Sequence, residues 1–182
     1  MGVCLNFGFR HSPGNRSVKF YLIDRQFFRH PQHYLQQVGV AFLVIAGLVA
    51  GLGMVTEVVV VAAIGSSAFI TFAMPHYPTA TARRLIGGHV LCIAVGWLWS
   101  VPYAGGVFGN GDAALAMAAG AALASASLVM LISDTAHPPA AGNAIAFAIL
   151  GMSLPHVLFS VVAVLLLALI RYMLRGWLRN LV

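Results

Sequence analysis

Charge is scarce in this chain of 182 residues: 8% are charged, and aspartate and glutamate together number 4. A soluble domain carries about 25% charged residues. A chain this short cannot hide the difference in a core, because much of its surface stays outside. A lone soluble domain is therefore excluded. Cysteine is nearly absent as well, with Cys4 in the amino-terminal stretch and Cys92 inside an apolar run. No CxxC or zinc-type spacing is present, so neither a structural disulfide nor a metal cofactor is expected. Nucleophile elbow, phosphate loop and catalytic carboxylate pair are all missing, and no enzyme is expected. Residues 1–34 hold no apolar h-region followed by a small-residue cleavage site, so no signal peptide is expected there.

What the chain does have is apolar length. Hydrophobic residues make up 60% of it, gathered in runs that approach or exceed the roughly 18–20 residues needed to cross a bilayer as a helix. The runs fall at about 36–54, 58–74, 85–103, 113–133, 140–154 and 157–174. The expected fold is an all-α polytopic transmembrane helix bundle of five to six membrane segments, with short proline-broken or re-entrant helices. Residues 1–34 form a basic segment, 35–175 the transmembrane domain and 176–182 a short basic tail. The run at 140–154 is marginal for a full crossing at about 1.5 Å per residue. Gly47-xxx-Gly51 gives the first run a small-residue face suited to close helix approach. The fourth run, rich in Ala, Gly and Ser, suits a tightly packed central helix. Trp97, Trp99 and Tyr103 read as an interfacial belt. In the amino-terminal segment, Phe20, Tyr21, Leu22, Ile23, Phe27 and Phe28 interleave with basic residues, as in a short interfacial helix.

The net charge of +6 is concentrated at the ends of the runs. Arg10, Arg16, Lys19, Arg25 and Arg29 precede the first run, Arg83 and Arg84 lie between the second and third, and Arg171, Arg175 and Arg179 follow the last. That is a topology signal, not a nucleic-acid footprint. With the amino terminus cytoplasmic, two crossings return Arg83 and Arg84 to the cytoplasm. Six crossings return the last arginines too, and five leave them outside. The positive-inside rule favours six and a multi-pass protein of the inner (plasma) membrane.

Two turns look alike: Met74-Pro75-His76-Tyr77-Pro78-Thr79-Ala80 and Ala136-His137-Pro138-Pro139-Ala140-Ala141. Each follows an apolar helix and opens a small-residue one, a weak hint of paired repeats such as transporters use. Proline is tolerated in a helix's first turn, and free N–H groups behind it sit at the positive end of the helix dipole. The backbone of Ala140 and Ala141, the Thr79 and Thr81 hydroxyls, His76, His137 and Arg83 together suit a small anion. The plainer reading is that such turns are stops and starts, with Arg83 and Arg84 setting topology. His89 lies inside an apolar run, where an ionisable group is costly and a functional suspect. Asp134 is expected to cap the helix near Pro138 or to pair with an arginine, with a proton-relay role also open to it.

At Gly65-Ser66-Ser67-Ala68, Pro75, Pro78, Leu85-Ile86-Gly87-Gly88-His89 and His137-Pro138-Pro139-Ala140-Ala141, the sequence resembles the HPP family of integral membrane proteins. The likeness covers about residues 38–174. It departs at Ala82-Arg83-Arg84, where the family commonly reads Pro-Arg-Asn, and in the number of apolar runs, since the family is described with about four spanning helices. Plant and cyanobacterial members look like nitrite transporters, so the resemblance implies transport of a small monovalent anion, with nitrite the leading substrate. The path residues expected from position and chemistry are His137, Pro138, Pro139, Ala140, Ala141, His89, His76, Thr79, Thr81 and Arg83. Histidine protonation offers a route to proton coupling, and facilitated diffusion is equally compatible. The partners expected are nitrite and the lipid bilayer, with a homo-oligomer compatible and no nucleic acid. Two other classes remain open: a non-transporting membrane scaffold, and a His-ligated metal or haem protein.

Overall fold

The computed structural model describes residues 30–52 and 58–181. Among these the regular elements are all helical: α1 (Pro31–Leu52), α2 (Val58–Ala73), α3 (Ala82–Ala104), α4 (Asp112–Ile132), α5 (Ala141–Leu150) and α6 (Leu154–Met173). Short 3₁₀ turns, Pro78–Ala80 and Pro138–Ala140, open α3 and α5. The interfacial helix expected before Pro31, and Glu57, lie outside the described residues. The protein is a helical membrane bundle. Helices α1, α3, α4 and α6 are long and apolar enough to cross a membrane, and α2 and the Pro138–Leu150 segment are shorter. Four full-length and two short helices reconcile the apolar runs with the count of about four expected from the family resemblance.

Several polar ties gather at one end of the bundle. Gln37, near the start of α1, donates to the carbonyls of Phe72 at the end of α2 and Arg179 after α6. Arg171, in the last turn of α6, donates to the Pro75 carbonyl. Arg84, at the start of α3, binds Asp134 just beyond α4. The helices therefore alternate in direction, and the carboxyl end returns to the face that carries Arg83 and Arg84. Residues 176–181 do not hang free. The Leu181 N–H donates to Ala73 O at 2.8 Å and the Tyr34 hydroxyl to Leu181 O at 2.7 Å, while Leu178 and Leu181 are buried.

Helix α5 sits at the centre. It packs on α2, α3 and α4 and buries Asn143, Ala144, Ala146, Phe147 and Ala148. Close approach comes from small residues, as lipid gives apolar surfaces no hydrophobic drive to associate. A Cβ on Gly96 of α3 would lie 2.5 Å from the Ala144 carbonyl oxygen and 2.9 Å from Phe147 Cβ. The expected close approach at Gly47 is not made: nothing lies within 4 Å of the position its Cβ would take. Nor is α4 the central helix. It buries only one edge, Ala114, Ala118, Ala122, Ala126 and Met130, and leaves Leu115, Met117, Leu123, Leu128 and Leu131 exposed. Its alanines make a flat face for α3 and α5, but the stripe is too narrow to bury it. Trp99 also departs from the belt, since its indole N–H turns inward to the Ser125 hydroxyl at 2.8 Å.

At about 1.5 Å per residue the 13-residue segment Pro138–Leu150 reaches about 20 Å, short of a hydrocarbon core of about 30 Å. Thr135-Ala136-His137 makes up the difference. This stretch leaves the end of α4 without helical structure and runs inward along α3 before α5 begins. Non-helical backbone at membrane depth is tolerated only where protein encloses it, and here Thr135 and His137 are both buried.

Candidate functional site

The inward stretch starts at Asp134, the one described non-glycine residue with positive φ, at 52°. Aspartate tolerates this left-handed conformation better than most residues. Two arginines on α3 hold it: Arg84 Nη2 lies 2.6 Å from Oδ1 and Arg83 Nη1 3.5 Å from Oδ2. Arg83 Nη2 also donates to the Ser133 carbonyl at 3.0 Å. Of the roles expected for Asp134, the structure shows pairing. The pairs are largely exposed, and exposed pairs contribute about 0–1 kcal/mol, so their main effect is to fix where the chain turns inward.

Past Asp134 the chain lies directly on α3, which is possible because α3 carries glycine there. A Cβ at Gly88 would meet His137 Cβ at 2.9 Å and the Thr135 carbonyl oxygen at 3.0 Å, and one at Gly87 would meet Thr135 Cγ2 at 2.8 Å. The Gly87-Gly88-His89 run thus lets His137 settle beside His89, with ring centroids 5.5 Å apart. Ser67 of α2 completes the group. Its Oγ lies 2.8 Å from His89 Nε2 and 3.0 Å from His137 Nε2. Beyond them, His137 Nδ1 reaches the Thr79 carbonyl at 2.8 Å, and Asn143 Nδ2 of α5 reaches His89 Nδ1 at 2.9 Å. Ser67, His137 and Asn143 are 0% exposed and His89 1%, so no solvent hydrates the cluster from the side. Counting about 1.5 Å per residue from the ends of α2 and α3, Ser67 and His89 lie about 10 Å beneath the basic face.

Hydrogen-bond chemistry fixes the direction of this chain. The Thr79 carbonyl only accepts, so His137 Nδ1 carries a hydrogen, and Nε2 of the neutral ring is an acceptor. The Asn143 amide nitrogen donates, so His89 Nδ1 accepts and His89 Nε2 bears the hydrogen. The Ser67 oxygen then accepts from His89, and its hydroxyl points to His137 Nε2, with the Ala63 carbonyl at 2.9 Å as a second acceptor. Five groups from five segments form one continuous line with both rings neutral. Asn143 Oδ1 has no hydrogen-bond partner among the described residues, where leaving a buried acceptor unpaired costs about 1–3 kcal/mol.

The other expected path residues divide. Thr79 joins through its carbonyl instead of its hydroxyl. The Thr81 hydroxyl donates to Pro78 O at 2.9 Å, facing outward. His76 is exposed, with its backbone N–H donating to Asn180 Oδ1 at 3.1 Å and its ring Nδ1 3.3 Å from the same atom. Arg83 is exposed beside Asp134. Pro138 and Pro139 have no N–H, the Ala140 N–H donates to His137 O at 2.9 Å, and the Ala141 N–H is taken by the carbonyls of Pro138 and Pro139. The start of α5 thus offers an anion none of the donors expected of it. No third His, Cys, Asp or Glu joins the pair among the described residues.

Sequence reasoning gave no role to Ser67 or Asn143. Asn143 had a signal: it is the lone polar side chain in the run Ala141–Leu150, and amides in such runs bond across helices. For Ser67 the signal was ambiguous, because Ser66 beside it is exposed and bonds only its own helix, at Ala62 O.

Fold and site together define a polytopic helical membrane protein with a buried imidazole pair, one ring on α3 and the other on the non-helical stretch before α5. The family model described as "HPP, transmembrane region" matches residues 28–181, and the chain belongs to that family. No curated protein and no solved structure matches it.

Proposed function

We propose that this protein carries a small monovalent anion, nitrite foremost, across the inner (plasma) membrane, with its amino terminus in the cytoplasm. The observation that carries the reading is the pair His89 and His137 held against Ser67 at membrane depth. Ionisable groups there are expensive and mark substrate or proton paths. Arg83, Arg84, Arg171, Arg175 and Arg179 on one face raise the local anion concentration above the pair. Nitrite in particular rests on the family resemblance. It is the conjugate base of a weak acid, which suits a path lined by imidazole and hydroxyl in place of fixed charge.

The test is flux into proteoliposomes with nitrite, nitrate and formate compared, wild type against His137→Ala. Nitrite flux that falls at least about tenfold, the effect of losing about 1.4 kcal/mol of stabilisation on the path, supports the reading. Folded wild-type protein that moves none of the three anions removes it and favours the non-transporting scaffold.

A further inference from the structure

The hydrogen-bonded line has two arrangements that differ by one proton. In the first, described above, every bond runs from Asn143 toward Thr79 and both rings are neutral. In the second the Asn143 amide is turned over, so that Oδ1 accepts from His89 Nδ1–H. His89 Nε2 is then bare and accepts from the Ser67 hydroxyl, and Ser67 Oγ accepts from Nε2–H of a doubly protonated His137. The proton count has risen by one, and the positive charge sits on His137. From there a concerted pair of hops moves it. Ser67 passes its hydroxyl hydrogen to His89 Nε2 while His137 Nε2–H passes to Ser67 Oγ. His89 becomes the cation, His137 the neutral acceptor, and Ser67 is a hydroxyl again. Each bond broken is matched by a bond formed, and no group beyond the two rings, the hydroxyl and the amide takes part.

We propose that Ser67 is the bridge of a proton relay that holds a single extra proton between His137 and His89, and that the relay couples each anion carried to one proton. This rests on the transport reading. The geometry supports it at three points. Ser67 lies within 3.0 Å of both Nε2 atoms, so a hop needs no ring movement. The Ala63 carbonyl gives the hydroxyl a further acceptor as it turns from one ring to the other. Asn143 is fully buried with Oδ1 unpartnered, so turning the amide gives that oxygen the donor it lacks.

Among the described residues no other charge competes at the line. On α3, Arg83 and Arg84 bind Asp134 at the surface, and the Cys92 thiol donates to Met130 Sδ at 3.6 Å. On α6, Arg171 binds the Pro75 carbonyl, and His156 belongs to the first turn, at the opposite end of that helix. Helices α2 and α5 and the turn Pro78–Ala80 carry no charged side chain.

Nitrite and proton uptake are measured together in proteoliposomes with a lumenal pH dye, for wild type, Ser67→Ala and Ser67→Thr. Wild type is expected to take up one proton per nitrite. In Ser67→Ala, proton uptake per nitrite falls at least about tenfold, the cost of one charge-assisted hydrogen bond. Ser67→Thr restores coupling. Proton uptake in Ser67→Ala equal to that of wild type overturns the relay. Imidazole ¹⁵N spectra of wild-type protein in nanodiscs test it without transport. His137 is expected as the Nδ1–H tautomer and His89 as Nε2–H at neutral pH, with a single proton added across the two rings on acidification. Reversed tautomers or two independent protonations overturn it. A wild type inert toward nitrite but with the expected spectra sinks the transport reading and leaves the relay standing.

Discussion

The two proline turns share a pattern and come to opposite ends. In the turn after α2, His76 faces outward and meets Asn180 at the surface. In the turn before α5, His137 is fully buried and meets Ser67. Both turns contain a 3₁₀ segment and both histidines precede a proline. The difference lies in what the neighbouring helix offers. The stretch before Pro138 can press into α3 because Gly87 and Gly88 clear a channel for it, and Asp134 anchored to Arg84 sets the point of descent. Pro75, by contrast, is capped by Arg171 from the end of α6, and the chain stays at the face. A histidine's role here is decided less by the residues beside it in sequence than by the backbone opposite.

The strongest way to break the contrast is Gly88→Leu, which drives a side chain into the space of His137 Cβ. Overpacking of this kind costs about 1–3 kcal/mol or more. Thermal unfolding in detergent should show the loss, with His137 becoming as reactive to an imidazole-directed reagent as the exposed His76 is expected to be. A double-mutant cycle of His89→Leu and His137→Leu sharpens it. The two groups share Ser67, so the double variant should be milder than the sum of the singles by about 1 kcal/mol or more. Additive losses in chemical denaturation would show that the rings do not communicate. Asp134→Asn loosens the anchor, and because the pair is exposed the expected loss is about 1 kcal/mol or less, shrinking further in high salt. At the bottom of the scale, His76→Ala should shift stability by no more than about 0.5 kcal/mol, as surface substitutions do, and leave nitrite flux within about twofold of wild type.

Much of the architecture was legible from apolar run length and the placement of arginines. The run ends lie within a few residues of the helix ends, the polar ties show the helices alternating in direction, and four of the six are long and apolar enough to cross a membrane. His89 and His137 were legible as suspects because polar groups stand out against apolar runs. Their meeting was not, since it depends on a hydroxyl from α2 and on the depth to which a non-helical stretch sinks. The anion site imagined at the start of α5 failed for a local reason: Pro138 and Pro139 bring no N–H, and the donors behind them are spent within the turn. The small-residue rule pointed to the right kind of contact but at Gly47 instead of Gly88 and Gly96, because periodicity cannot say which glycine faces a neighbour.

Gln37 joins the carbonyls of Phe72 and Arg179, and its Oε1 accepts from the Arg179 N–H at 3.0 Å. This has a consequence for biogenesis. The Phe72 carbonyl lies 35 residues after Gln37 and is available once α2 is in place, whereas the Arg179 groups follow 142 residues after it. Until they arrive, α1 is held to the bundle chiefly by α2, with its amide only partly satisfied. Insertion of α1 and its closure by the segment after α6 are thus separate events.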